Sequence, residues 1–176
     1  MGFSVMLDIE TLATSPDSVI LTFGAIKFDE FSEKFGEGLY MRVNVDEQIA
    51  LGRRVDEGTV AWWGTQSAEV REEALGEIDR ASLEDFTKQL NKFVSGATRI
   101  WAQGPVFDIV ILENLYRQIG KPAPWQYYAI RDSRTLLKAL GDDRKGGALL
   151  HNALADAVSQ AGAVQGAVAR HKLVEL

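Results

Sequence analysis

The chain has no cysteine, which excludes disulfides and thiolate zinc sites. That absence fits an intracellular, cytoplasmic protein without requiring one. No run reaches 18 continuous apolar residues, so no membrane-spanning helix is expected. The N-terminus enters an apolar strand at once, without a charged segment leading into a long apolar run, so no signal peptide is expected. Positive charge is also in short supply: 19 Lys and Arg stand against 25 Asp and Glu, a formal net charge of −6. Proteins that passively coat nucleic acid are usually basic, so this balance counts against them. It does not exclude an enzyme that meets an acidic polymer through metal ions, because part of the negative charge would then be ligand carboxylates. Apolar residues make up 46% of the 176 positions. That is enough for a substantial core and points to a single domain over residues 1–176.

What is present is organised around Val5-Met6-Leu7-Asp8-Ile9-Glu10-Thr11. This reads as an apolar strand ending in two carboxylates. Val5, Leu7 and Ile9 fall on one face, and Met6, Asp8 and Glu10 on the other. Residues i and i+2 of a strand lie roughly 6.5–7 Å apart. Both carboxylates can then reach one hard cation, which takes oxygen ligands at about 2.0–2.6 Å. Taken alone, the pattern is also that of a solvated strand face.

Downstream, Ala13 to Ser18 is rich in turn residues. Val19 to Phe28 is β-branched and aromatic and reads as a long buried strand, with Gly24 marking a bulge or a close backbone approach. Leu39 to Val45 alternates as a third strand, giving an antiparallel start to the sheet. Thr59–Trp63 and Ala68–Leu75 read as short helices. Ser82 is placed to cap a helix running to about Val94, with Leu83, Phe86, Leu90 and Phe93 on its buried stripe. Arg99–Gln103 is a short strand, Gly104-Pro105 a break, and Phe107–Ile119 a helix. Tyr127–Ile130 is a candidate strand, Ser133–Leu140 a short helix, and Gly141–Gly147 a polar loop of the mobile kind. Ala153–His171 is the last helix. Strands first and strand–helix alternation later point to a mixed α/β sheet with helices on its faces.

Three further features bear on the two carboxylates. Asp108 opens a helix just after the Gly104-Pro105 break, which would aim it back across the sheet; an acid there also simply favours the helix dipole. In His151-Asn152-Ala153-Leu154-Ala155-Asp156, Asn152 is a good N-cap. It puts Asp156 in the first helical turns and His151 just outside the helix. Were both inside one helix they would point roughly 140° apart; with His151 outside, both can face one site. Trp62-Trp63 suggests either one core and one surface tryptophan or a stacking surface for a nucleobase.

With Asp8-Ile9-Glu10-Thr11, Gly104-Pro105-Val106-Phe107-Asp108 and the H-x-A-x-x-D stretch His151–Asp156 in this order, the chain resembles the DEDD 3′–5′ exonuclease superfamily in its histidine-bearing DEDDh branch. Each motif alone is weak, and the three in order are specific. Trp62-Trp63 and Ile130-Arg131-Asp132-Ser133-Arg134-Thr135 make it most similar to the small single-domain branch that includes the phage exonuclease A type and a mycobacterial 3′–5′ exoribonuclease.

The resemblance implies an RNase H-like fold with a five-stranded mixed sheet flanked by helices. It implies two Mg²⁺ or Mn²⁺ ions about 3.5–4 Å apart, one held by Asp8, Glu10 and Asp156, the other by Asp8 and Asp108. His151 is the implied general base, since an imidazole, with an ordinary pKa of about 6.5, takes a proton near neutral pH. His171, far along the last helix, is not implicated. The implied substrates are 3′ ends of single-stranded RNA or DNA, or short 3′ overhangs, released as nucleoside 5′-monophosphates. Thr11, Leu12, Trp62, Trp63 and Phe107 are candidate contacts to the last nucleotide, and Glu10 to its 3′-hydroxyl. Arg131 and Arg134 are candidate phosphate contacts, with surface ion pairing the competing role. A homodimer is also implied. The rival readings are a nucleic-acid-binding protein with a dead site, an RNase H-like endonuclease, and a structural α/β domain with scattered acids.

Overall fold

The structure is a computed structural model and describes residues 2–142 and 151–176. Most of the polar loop expected over residues 141–147 therefore lies outside the described residues. Three long strands come first: β1 (Phe3–Thr11), β2 (Ile20–Phe28) and β3 (Phe35–Val43). Three short helices follow, α1 (Val45–Ala50), α2 (Glu57–Gly64) and α3 (Ala68–Leu75), then β4 (Arg80–Ala81) and α4 (Leu83–Val94). The second half alternates: β5 (Ala97–Ala102), α5 (Pro105–Gln118), β6 (Ile130–Asp132), α6 (Ser133–Ala139) and α7 (Ala153–His171). The sheet order is β4-β3-β2-β1-β5-β6. The pairs β1–β2 and β2–β3 are antiparallel, and β1–β5, β5–β6 and β3–β4 are parallel.

Among the described residues the sheet thus has six strands where five were expected. The extra strand, β4, is two residues long and carries no apolar alternation. Backbone pairing to β3 and the Arg80 guanidinium hold it, the latter donating to the carbonyls of Leu21, Val43 and Ala74. The strand expected over Tyr127–Ile130 is instead a 3₁₀ turn over Tyr127–Ala129 followed by β6. Tyr127 is 84% exposed and lies outside the ladder. β3 starts at Phe35, earlier than Leu39, because its first four residues are exposed and show no buried alternation to read.

Strand period divides β1 between two cores. Val5, Leu7 and Ile9 pack with Phe86, Leu90 and Phe93 of α4 and with Ile111, Leu112 and Leu115 of α5. Each large side chain buried there stabilises the fold by about 1.5–3 kcal/mol. Met6 packs on the other face with Trp101 and with Ala157, Ala161 and Val164 of α7. Asp8 and Glu10 follow Met6 in phase, so they sit on the α7 face.

Gly24 explains how close α7 comes. It lies opposite Asp8 in the β1–β2 ladder. A Cβ on it would stand 2.1 Å from the Ala153 carbonyl carbon and 2.1 Å from the Leu154 nitrogen. The bare backbone of β2 is therefore the seat of the first turn of α7, the close approach its glycine suggested.

Candidate active site

The first turn of α7 forms because Asn152 caps it, accepting a bond from the Ala155 N–H at 2.9 Å. Seated over Gly24, that turn brings Asp156 to the end of β1. One ligand oxygen from each of Asp8, Glu10 and Asp156 lies within 4.8 Å of the others. Asp108 arrives from another direction. Gly104 takes the left-handed region at φ 102° and Pro105 starts α5, turning the chain sharply after β5. Asp108 is buried and accepts a bond from the Ile9 N–H at 3.2 Å.

His151 stands just before the helix in the left-handed region, at φ 50°, an uncommon conformation for a residue with a side chain. Its Nδ1 is 3.8 Å from Glu10 Oε1. The edge-on ring of Trp62 holds it at 4.9 Å, with Trp63 at 6.1 Å. Trp63 is 1% exposed and its indole N–H donates to the Thr11 carbonyl at 2.9 Å, tying α2 to the end of β1. Trp62 is 42% exposed. The pair is thus one core and one surface tryptophan, and it also walls the histidine.

Asp8, Glu10, Asp108, His151 and Asp156 line one cleft of about 410 Å³ with Gln103, Gly104, Phe107, Arg134 and Gln160. A second cavity of about 350 Å³ adjoins it through Ile9, Glu10 and Phe107, and is lined by Thr11, Thr14, Thr59, Trp62 and Trp63. Leu12 does not line either cavity; it packs with Val19, Leu21 and Trp63. Arg131 is turned back to the carbonyls of Tyr128 and Ile130 and is also outside the cleft. His171 is exposed at the far end of α7.

Gln160 is the residue that sequence reasoning missed. Its amide donates to Asp8 Oδ1 at 2.8 Å, and its buried Oε1 has no hydrogen-bond partner among the described residues. The available signal was its place four residues after Asp156, on the same helix face, between Ala157 and Ala161 of the buried stripe.

Crowding shows in the acid strengths. Burial is the largest cause raising Asp8 well above the usual carboxylate range; the charge of Asp108 adds to it and the Gln160 amide opposes it. Burial, then the charges of Asp156 and Asp108, raises Glu10 to about 8. Burial raises Asp108 to about 7, against the Ile9 N–H and the charge of Arg134. Four carboxylates this close are held against their mutual repulsion, which is relieved by protons or by a cation. The donors are all hard oxygens, and they fit a divalent ion of the Mg²⁺ type.

The fold and site together define a domain of the DEDD 3′–5′ exonuclease superfamily, a group of phosphodiester hydrolases with an RNase H-like sheet. Residues 3–168 match the 3′–5′ exoribonuclease Rv2179c-like domain, and the chain belongs to that family. An exodeoxyribonuclease of Enterobacteria phage T4 is 25% identical, over 78% of this chain and 72% of that one. Among solved structures, the zinc-bound E. coli ExoI–ssDNA complex superposes with a TM-score of 0.74 at 19% identity, over 98% of this chain. E. coli exonuclease I in complex with a dA16 oligonucleotide gives the same TM-score and identity. This chain spans only 41–42% of the length of those exonuclease I chains, and their likeness establishes the fold.

Proposed function

We propose that this chain is a divalent-metal-dependent exonuclease that removes nucleoside 5′-monophosphates from the 3′ ends of single-stranded nucleic acid. One observation carries the reading: oxygens of Asp8, Glu10 and Asp156 converge within 4.8 Å in a cleft that Asp108 and His151 also line. Asp8, Glu10 and Asp156 would hold one Mg²⁺ or Mn²⁺, and Asp8 with Asp108 a second. When bound, such ions supply Lewis acidity and charge neutralisation at the phosphoryl group.

The protein's own groups do the rest. His151, oriented by the Trp62 ring and Glu10, takes the proton of the attacking water. The cavity between Thr11, Thr59 and Trp62 receives the terminal nucleoside, whose base stacks on the exposed indole. Single strands suit this arrangement because one 3′ end must enter the cleft. The family description names an exoribonuclease and the phage relative an exodeoxyribonuclease, so both sugars are candidate substrates.

The test uses 3′- and 5′-labelled RNA and DNA single strands with Mg²⁺, Mn²⁺ or EDTA, beside Asp8→Asn and His151→Ala. Metal-dependent shortening from the 3′ end, lost in Asp8→Asn and sharply slowed in His151→Ala, is the expected result. Internal cleavage, cleavage of neither polymer, or full activity in both variants would overturn it.

A further inference from the structure

Among the described residues, the lining of the cleft carries four acids and one permanent cation, Arg134. Its position is built into two stitched turns. Asp132 Oδ1 accepts from the Gly104 N–H at 3.2 Å and from the Arg134 N–H at 3.0 Å. Ser133 Oγ donates to the Ala102 carbonyl at 3.3 Å. The guanidinium then lies over Gly104, where a Cβ would meet Nη1 at 3.4 Å and Cζ at 3.5 Å. It makes one bond, from Nη2 to the Gln103 carbonyl at 3.0 Å. Among the described residues its Nε and Nη1 have no hydrogen-bond partner, and no carboxylate pairs with it. Its charge is nevertheless felt at Asp108.

Among the described residues, the lining of the neighbouring cavity on the Trp62 side has no Lys or Arg, so it suits a nucleoside better than a phosphate. The two cavities meet at Ile9, Glu10 and Phe107, and Arg134 lies in the part of the cleft outside that shared wall. A strand whose terminal nucleoside fills the Trp62 side places its scissile phosphate among the carboxylates. Its next phosphodiester then leaves past Gly104. We infer that Arg134 binds the phosphodiester immediately 5′ to the scissile one, so that the site discriminates by substrate length, favouring chains with at least two phosphodiesters. The planar guanidinium fork matches phosphate oxygens in a way that an ammonium does not. This inference rests on the exonuclease reading above.

The test compares a dinucleoside monophosphate, which has only the scissile phosphate, with the corresponding trinucleoside diphosphate, for the wild type, Arg134→Met and Arg134→Lys. Arg134 is exposed, and unchanged thermal melting confirms that the variants fold. Wild-type protein should prefer the trinucleotide. In Arg134→Met, kcat/KM on the trinucleotide should fall roughly 10- to 100-fold more than on the dinucleotide, mainly through KM, the range for a charge-assisted bond. Arg134→Lys should recover part of the preference. The slope of log kcat/KM against log salt on a longer single strand should become shallower by about 0.7 in Arg134→Met. Equal losses on the two substrates, or an unchanged salt slope, overturn the inference and leave Arg134 a neighbour of Asp108 only. A wild type that shortens neither substrate nor longer strands overturns the exonuclease reading itself, and this inference with it.

Discussion

Asp8 faces the other three acids and has one neutral donor, the Gln160 amide. That bond favours the ionised carboxylate and fixes its orientation, the work expected of a residue behind the metal ligand that Asp8 is proposed to be. Gln160→Leu keeps the volume and removes the donor. Its divalent-ion affinity, measured by calorimetry, should weaken by about 10-fold or more, and its ion-free melting temperature should change little, because an unpaired buried oxygen disappears with the donor. Unchanged ion affinity would reduce Gln160 to packing. His151 touches Glu10 and the Trp62 ring. Replacing it by alanine should lower kcat by about 10²–10⁴-fold, the range for a lost general base, while ion affinity stays close to that of the wild type. A parallel loss of ion affinity would make His151 a ligand instead.

Among the elements, α7 matters most to the site and depends on β2. Gly24→Ala puts a methyl group into the backbone of Ala153 and Leu154, neither of which is a flexible side-chain end. The helix must lift, carrying Asp156 away from Asp8. We expect a loss of about 1–3 kcal/mol in denaturant unfolding and a larger proportional loss of ion affinity; a variant of normal stability and affinity would show that α7 is not seated there. This dependence was half legible in the sequence. Gly24 inside an apolar strand announced a close approach but not its partner, which lies over 125 residues away. Helices with a polar cap and a periodic stripe, α4 after Ser82 and α7 after Asn152, were readable at both ends because their signals are local. β4 was not, since pairing to β3 and the reach of Arg80 sustain it. Asp8, Glu10, Asp108, His151 and Asp156 stood out through motif order, whereas Gln160 reads as an ordinary polar residue of a helix until the fold places it beside Asp8.

At the scale of the whole molecule, the fold buries several carboxyl groups in one cleft, and this burial, more than their mutual charge, sets how stability responds to pH. Glu10 and Asp108 ionise in the folded, ion-free protein only near about 8 and about 7, against about 4 in an unfolded chain. Between these limits the folded state binds more protons than the unfolded state. Since the slope of unfolding free energy with pH follows the unfolded minus the folded proton count, it is negative here. The contribution is fully present below about pH 4 and is lost as pH rises through about 7–8. A bound divalent ion would reverse the sign of the local problem, because it would need the ionised carboxylates and bind the folded state. In EDTA, the melting temperature should therefore fall as pH is raised from 5 to 8.5. With saturating Mg²⁺ or Mn²⁺ the fall should be reduced or abolished, so the ion-induced shift grows across the same window. The Glu10→Gln, Asp108→Asn double variant should show a flatter ion-free profile and a much smaller ion-induced shift. Other groups titrate along the chain, so the decisive quantity is the difference between variant and wild type. If the two ion-free profiles run parallel, the cost of burying ionised carboxylates does not reside in this pair, and their convergence would lose its standing as a cation site.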